Sequence, residues 1–246
     1  MMRARLTFVS LSAFFLFTLF THSMFAQGGP PLILTDPGTP GPGNWEINIF
    51  ASLERSALNR EYQIPQFDIN YGVGNRTQLT LTTPFALSEE KDSGTRRSFD
   101  WLEMGVKYRF IDNPGTTGSN FALFPQVHFS FEDEREVELS LPLEWHQEWE
   151  HFGLTAELAH TWVNGKSEGW EGGVAAAWIL DPVDILVEWH TAVRETPYDL
   201  REPMMNIGFT WEWSEHVVLL ASFGKSIQHH DEDTDTWAVL GFQFLF

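Results

Sequence analysis

The sequence predicts an all-β protein: a closed antiparallel transmembrane β-barrel of about 12 strands, preceded by a cleaved signal helix. Three observations predict it. The amino terminus has the form of an export signal. From residue 44 onward, apolar and polar residues alternate in runs of about 10, separated by turn-forming residues. The chain ends on apolar residues spaced by two, the last of them Phe246.

Composition narrows the field before any element is placed. The 246 residues carry 34 Asp and Glu against 15 Lys and Arg, a formal net charge of −19, with no cysteine. Disulfides, cysteine-ligated zinc and thiol nucleophiles are thereby excluded. Nucleic acid is not an expected partner, because binding it requires a basic footprint that displaces counterions. A slightly negative mean hydropathy speaks against a bundle of transmembrane helices. With 43% hydrophobic and 15% aromatic residues, the chain is too rich in large apolar rings to be a disordered acidic polymer.

Residues 1–26 read as a signal peptide. Arg3 and Arg5 precede an apolar run over residues 6–20, and Ala26-Gln27 supplies a small residue at a cleavage point. No cysteine follows, which excludes a lipoprotein anchor. Residues 27–43 are rich in proline and glycine. Proline lacks the ladder donor and glycine weakens extended structure, so this stretch is expected as an irregular periplasmic lead-in. Residues 44–246 form the expected barrel.

Within it the alternation is regular. Trp45, Ile47, Ile49 and Ala51 share a face opposite Glu46, Asn48 and Ser52. Phe67, Ile69 and Tyr71 oppose Asp68 and Asn70, and Leu79 and Leu81 oppose Gln78 and Thr80. Leu102, Met104, Val106 and Tyr108 oppose Glu103, Lys107 and Arg109; Val127 and Phe129 oppose Gln126 and His128. Leu139, Leu141, Leu143 and Trp145 oppose Glu138, Glu144 and His146. The second half continues with Leu158 against Glu157, Val187 and Trp189 against Glu188, His190 and Arg194, and Phe209 and Trp211 against Thr210 and Glu212. Side chains of a strand point alternately to opposite faces, so each run is a half-apolar strand. Residues 217–227 are apolar on both faces and leave their register open. Turn signals alternate roughly short and long, with polar loops expected at 88–98, 164–169, 195–202 and 228–236.

The same alternation would serve a soluble barrel. Three features favour the membrane: the export signal, charged residues on nearly every polar face but almost none on the apolar face, and aromatic residues near strand ends, where indole and phenol rings sit at headgroup level. Trp101 and Trp237 are counted among these girdle positions. Strands that cross hydrocarbon must close on themselves, because no water is present to satisfy an open edge. The expected lumen lining is Glu46, Asn48, Asp68, Asn70, Glu103, Lys107, Arg109, Gln126, His128, Glu138, Glu144, His146, Glu157, Glu188, His190, Arg194 and Glu212. Leu240, Phe242, Phe244 and Phe246 resemble the terminal strand that the outer-membrane assembly machinery reads. The expected location is therefore the outer membrane of a Gram-negative bacterium, with the lipid bilayer and that machinery as partners.

The block Pro65-Gln66-Phe67-Asp68-Ile69-Asn70-Tyr71-Gly72-Val73, with Gln78-Leu79-Thr80-Leu81 and Pro84 after it and Thr35-Asp36-Pro37 and Gly43-Asn44-Trp45-Glu46 before it, resembles a recurring block in a family of outer-membrane proteins. That family is labelled for the meta-pathway of phenol degradation. The resemblance implies a β-barrel of transporter type for hydrophobic or aromatic compounds. It covers roughly the first third of the mature chain and carries no residue roles.

The expected function is passive transfer of a small solute, with no cofactor, no catalytic residue and no metal site. An acidic lumen favours neutral or cationic solutes over anions. A barrel with a packed interior that works through its loops is the structural alternative. An outer-membrane hydrolase is a third. His128 and Ser130 share a face, as do His146, Ser140, Glu144 and Glu138, but residues two apart on a strand lie about 7 Å from each other, too far for a nucleophile and its base. The loop His229-His230-Asp231-Glu232-Asp233 with Asp235 has cation-binding side chains but no calcium-loop pattern.

Overall fold

The computed structural model describes residues 31–57, 59–90, 94–99, 101–113, 118–131, 136–195, 198–227 and 234–246, with side chains for all of these except 88–90, 94–98, 194–195 and 198–202. The expected signal peptide, residues 1–26, and most of the loop over residues 229–235 lie outside the described residues.

Fourteen strand segments form one antiparallel sheet. They are β1 (Trp45–Arg55), β2 (Asn59–Val73), β3 (Thr77–Glu90), β4 (Gly94–Ser98), β5 (Trp101–Ile111), β6 (Ser119–Leu123), β7 (Gln126–Ser130), β8 (Val137–Trp149), β9 (Phe152–Val163), β10 (Lys166–Ile179), β11 (Val183–Glu195), β12 (Tyr198–Ser214), β13 (Val217–Ser226) and β14 (Thr236–Leu245). Two barrel strands are each split in two. Segments β4 and β5 both pair with β3, and β6 and β7 both lie between β5 and β8. The second break falls at Phe124-Pro125, where proline has no N–H to give the ladder. The carbonyls there still accept: Val106 N–H donates to Pro125 O and Phe124 N–H to Pro142 O, each at 3.0 Å. Counting each split strand once gives a barrel of 12 strands, as the alternation predicts.

The barrel closes where β1 meets β14. Glu46 to Arg55 pair in continuous register with Leu245 to Thr236. Trp45 N–H donates to Phe246 O at 2.9 Å and Phe246 N–H to Trp45 O at 3.0 Å. No edge remains at this seam.

The faces separate as the membrane reading requires. Leu81, Leu141, Leu158, Ile207 and Leu240 are exposed on the outer wall, whereas Glu46 is 3% exposed and Glu144 and Glu188 are 0% exposed inside it. Segment β13 falls into register with Val218, Leu220, Ser222 and Gly224 inward. Its inner half is apolar because Val218 and Leu220 pack with Leu245 in a small buried cluster. Trp45, Trp149, Trp178, Trp211 and Trp213 are exposed near the short-turn end, at girdle positions.

Two expectations change. The polar stretches expected as loops are in part strand. Segment β10 begins at Lys166 after a two-residue turn, Asn164-Gly165, in which both φ angles are positive (50° and 77°). This is the backbone twist that a two-residue hairpin needs. Segment β12 begins at Tyr198 and runs 17 residues. Beyond the hydrocarbon both faces meet water, so the alternation fades while the backbone ladder continues. Trp101 and Trp237, assigned above to the girdle, have the inward parity of their strands and line the interior.

The outward face of β12 gives a direct test. Ile207→Lys, in the middle of that strand, is expected to cost about 2–4 kcal/mol of folding stability in phospholipid vesicles, measured by denaturant titration. Phe209→Leu on the same face should cost under about 1.5 kcal/mol.

Candidate functional site: an acidic lumen occupied by the N-terminal segment

The Pro/Gly-rich lead-in is irregular, as its composition predicts, but residues 31–40 do not lie outside the barrel. They run within the strand wall. Leu34, Asp36, Pro37 and Thr39 are all buried there. An irregular segment inside a barrel has no ladder partner, yet its amides must be satisfied. Lumen carboxylates satisfy them. Ile33 N–H and Leu34 N–H donate to the two oxygens of Glu188 on β11 at 3.2 and 2.8 Å. Thr35 N–H donates to Glu157 Oε2 on β9 at 3.0 Å. The Thr35 hydroxyl lies 2.7 Å from the same oxygen and also contacts Glu144 Oε1 on β8. Ser222 on β13 donates to the Pro31 carbonyl.

One cation anchors the other side. Lys107 on β5 is 1% exposed, with its ammonium 3.1 Å from Glu144 Oε1. It also donates to the Asp36 carbonyl and stands 4.6 Å from the centre of the Phe124 ring. A buried ammonium thus meets a carboxylate, a carbonyl and an aromatic face together. Room for Phe124 comes from Gly105 on the neighbouring strand, where a Cβ would stand 2.6 Å from the ring.

The segment leaves the lumen through a tight corner. Gly41 and Gly43 have φ of +84° and +80°, conformations that L side chains rarely adopt. Gly43 N–H donates to Gly72 O and Gly72 N–H to Asn44 O. The corner presses so closely on β2 that a Cβ at Gly72 would stand 1.7 Å from the Gly41 carbonyl oxygen.

The remaining expected lining residues fall into groups. Glu46, Asn48, Asp68 and Asn70 form a buried network on β1 and β2. The Asn48 amide donates to Glu46 and Asp68 at 3.2 and 2.9 Å, and the Asn70 amide to Asp68 at 3.0 Å. Gln78, Thr80 and Thr82 extend it across β3. Gln126 donates to Glu103 at 2.9 Å. His128 packs on Trp101, with ring centres 4.9 Å apart, and Glu138 is half-buried on the adjoining strand. His146 contacts Thr155 at 2.9 Å and Glu148 at 3.9 Å. His190 is buried on β11. Arg109 sits at the short-turn rim, donating to the Asn75 carbonyl at 2.8 Å and pairing with Asp112 at 3.4 Å. Glu212 is exposed near the end of β12, at the same rim. The Arg194 side chain lies outside the described residues.

Alongside the segment the lumen holds a cavity of about 450 Å³ that runs from Asn70 and Gln78, toward the short-turn end, to Glu54 and Thr234, toward the long-loop end. Leu32, Ile33 and Thr35 of the segment line it. Its walls include Asp68, Glu103, Lys107, Glu157 and His190, with Phe50, Phe124, Trp101 and Trp237 as aromatic surfaces. These aromatics are the residues that pattern reading missed. Strand parity places Phe50, Trp101 and Trp237 inward and Phe124 lies in the break between β6 and β7, but their hydrophobicity argues for lipid, and only their neighbours decide. Phe50, for example, sits over Gly241, where a Cβ would stand 2.3 Å from its own.

Fold and lumen together define an outer-membrane β-barrel of porin-like architecture. Solved structures agree. The chain is similar to the KdgM porin (12% identity, 82% of this chain and 99% of that one covered, TM-score 0.58) and to a KdgM porin in complex with disordered oligogalacturonate (12%, 81% and 99%, 0.56). It is also similar to the NanC porin (6%, 80% and 98%, 0.60). At these identities the likeness establishes the fold alone. No family model matches the chain, and no curated protein matches it.

The Lys107 anchor generates a stability test. Lys107→Met leaves Glu144 buried without its cation and is expected to cost about 3–5 kcal/mol in a denaturant titration. Adding Glu144→Leu should recover most of that loss. Equal stability of the single variant and the parent would show that the pair contributes nothing.

Proposed function

We propose that this protein is a passive outer-membrane channel for small neutral or cationic molecules, narrowed by its own N-terminal segment. The observation that carries this reading is the cavity of about 450 Å³ alongside the segment, lined by Leu32, Ile33 and Thr35 of the segment and by polar and aromatic side chains of the wall. Passive transfer needs a shaped, polar-lined path and no cofactor. The carboxylates on that path disfavour polyanions, so the oligogalacturonate of the KdgM complex is not the solute class this lumen suits. The resemblance to the phenol meta-pathway family, carried by residues 65–73, supports a small organic solute. Outward-facing Leu240, Phe242 and Phe246 support insertion by the outer-membrane assembly machinery after export.

The same segment favours a second reading, a non-conducting barrel that acts through its surface. Planar-bilayer recordings separate the two. Protein lacking residues 31–40 is expected to show unit conductance raised about threefold or more over the full mature chain. If neither form conducts, the channel reading fails and the structural one stands. Gly72→Ala, which collides with the Gly41 corner, is expected to raise conductance in the same direction with little loss of barrel stability.

A further inference from the structure

We infer that the lumen cavity is a binding site for a small organic cation bearing an apolar ring. The inference deepens the channel reading by naming a solute class, and takes its physiological meaning from it.

The carboxyl groups on the wall point to a cation. Glu103, Asp68 and Glu157 all line the cavity. Their hydrogen-bond donors are neutral: the Gln126 amide for Glu103, the Asn48 and Asn70 amides and the Thr82 hydroxyl for Asp68, and Thr35 for Glu157. Buried carboxylates are ordinarily paired with cations. The lysine on the same wall, Lys107, is already engaged by Glu144 and the Asp36 carbonyl.

A second, independent observation lies on the opposite wall. His190 lines the cavity, is only 6% exposed, and its ring makes no hydrogen bond to the protein among the described residues. A buried polar group without a partner is costly, and a ligand hydroxyl in the cavity would satisfy it. Trp101 and Trp237 line the same space. Their faces suit a flat apolar ring and add attraction for an ammonium. The volume is in the usual range for a small-molecule site, about 300–1,000 Å³. Ammonium, ring and hydroxyl are therefore the three features the cavity is built to receive.

The test uses three ligands that share a hydroxyphenyl ring and differ in charge: tyramine (cation), tyrosol (neutral) and 4-hydroxyphenylacetate (anion). Each is titrated calorimetrically into the full mature protein in maltoside micelles. Tyramine should bind saturably and about tenfold or more tighter than tyrosol, with no binding of the anion. Glu103→Gln should weaken tyramine about tenfold and leave tyrosol unchanged, whereas Trp237→Leu should weaken both. Equal affinity for the three ligands, or no saturable binding of tyramine, overturns the inference. Should Glu103→Gln fail to fold, the charge series on the unaltered chain decides alone. Tyramine binding by a barrel that never conducts would leave the site standing and remove the channel. Conductance without preference for the ammonium would do the reverse.

Discussion

Every backbone amide that crosses hydrocarbon must find its partner within the protein, and this constraint governs the rest of the structure. It makes the seam between β1 and β14 indispensable, with its unbroken register from Glu46–Leu245 to Arg55–Thr236. Once the seam closes, one face of every strand is committed to lipid and the other to an enclosed interior. Tolerance for proline follows from the same rule. Pro125 gives no N–H, but its carbonyl and that of Pro142 still accept from neighbouring strands, so the wall stays continuous through the break.

The constraint reappears inside the barrel. Residues 31–36 are irregular and enclosed, so their amides also need acceptors. Glu157 and Glu188 serve as those acceptors from two strands, Glu144 on a third accepts from the Thr35 hydroxyl, and Lys107 meets the Asp36 carbonyl from a fourth. Acidic residues that read as a charged pore lining are thus, in part, capping groups for a peptide segment. Glu144 and Glu188 hold the segment, Glu157 both holds it and lines the cavity, and Asp68 and Glu103, with neutral donors, line the cavity.

Legibility in the sequence followed local physics. Strand number, the inward parity of Glu46, Glu144 and Glu188, and the outward face ending at Phe246 were readable because alternation is a local signal and lipid penalises any charge on the wrong face. Strand ends were poorly readable. Above the membrane both faces are wet, so stretches such as 198–202 carry no period although their backbone is paired. Inward aromatics were misassigned for the opposite reason. Trp101 and Trp237 have the composition of a headgroup girdle, and only a neighbouring strand shows that they face the lumen.

By itself, then, the sequence determined the class of the molecule: a β-barrel whose apolar faces demand lipid and whose first and last strands must meet. Only the tertiary structure decided what fills the interior. Pro31 and Ser222 stand 191 positions apart, and Thr35 and Glu157 stand 122 apart. No periodicity links residues so distant, and the proline and glycine content of residues 27–43 is equally compatible with a segment outside the barrel. Its seat was set by long-range hydrogen bonding, because unpartnered amides and buried carboxylates each cost free energy alone and little when they satisfy one another.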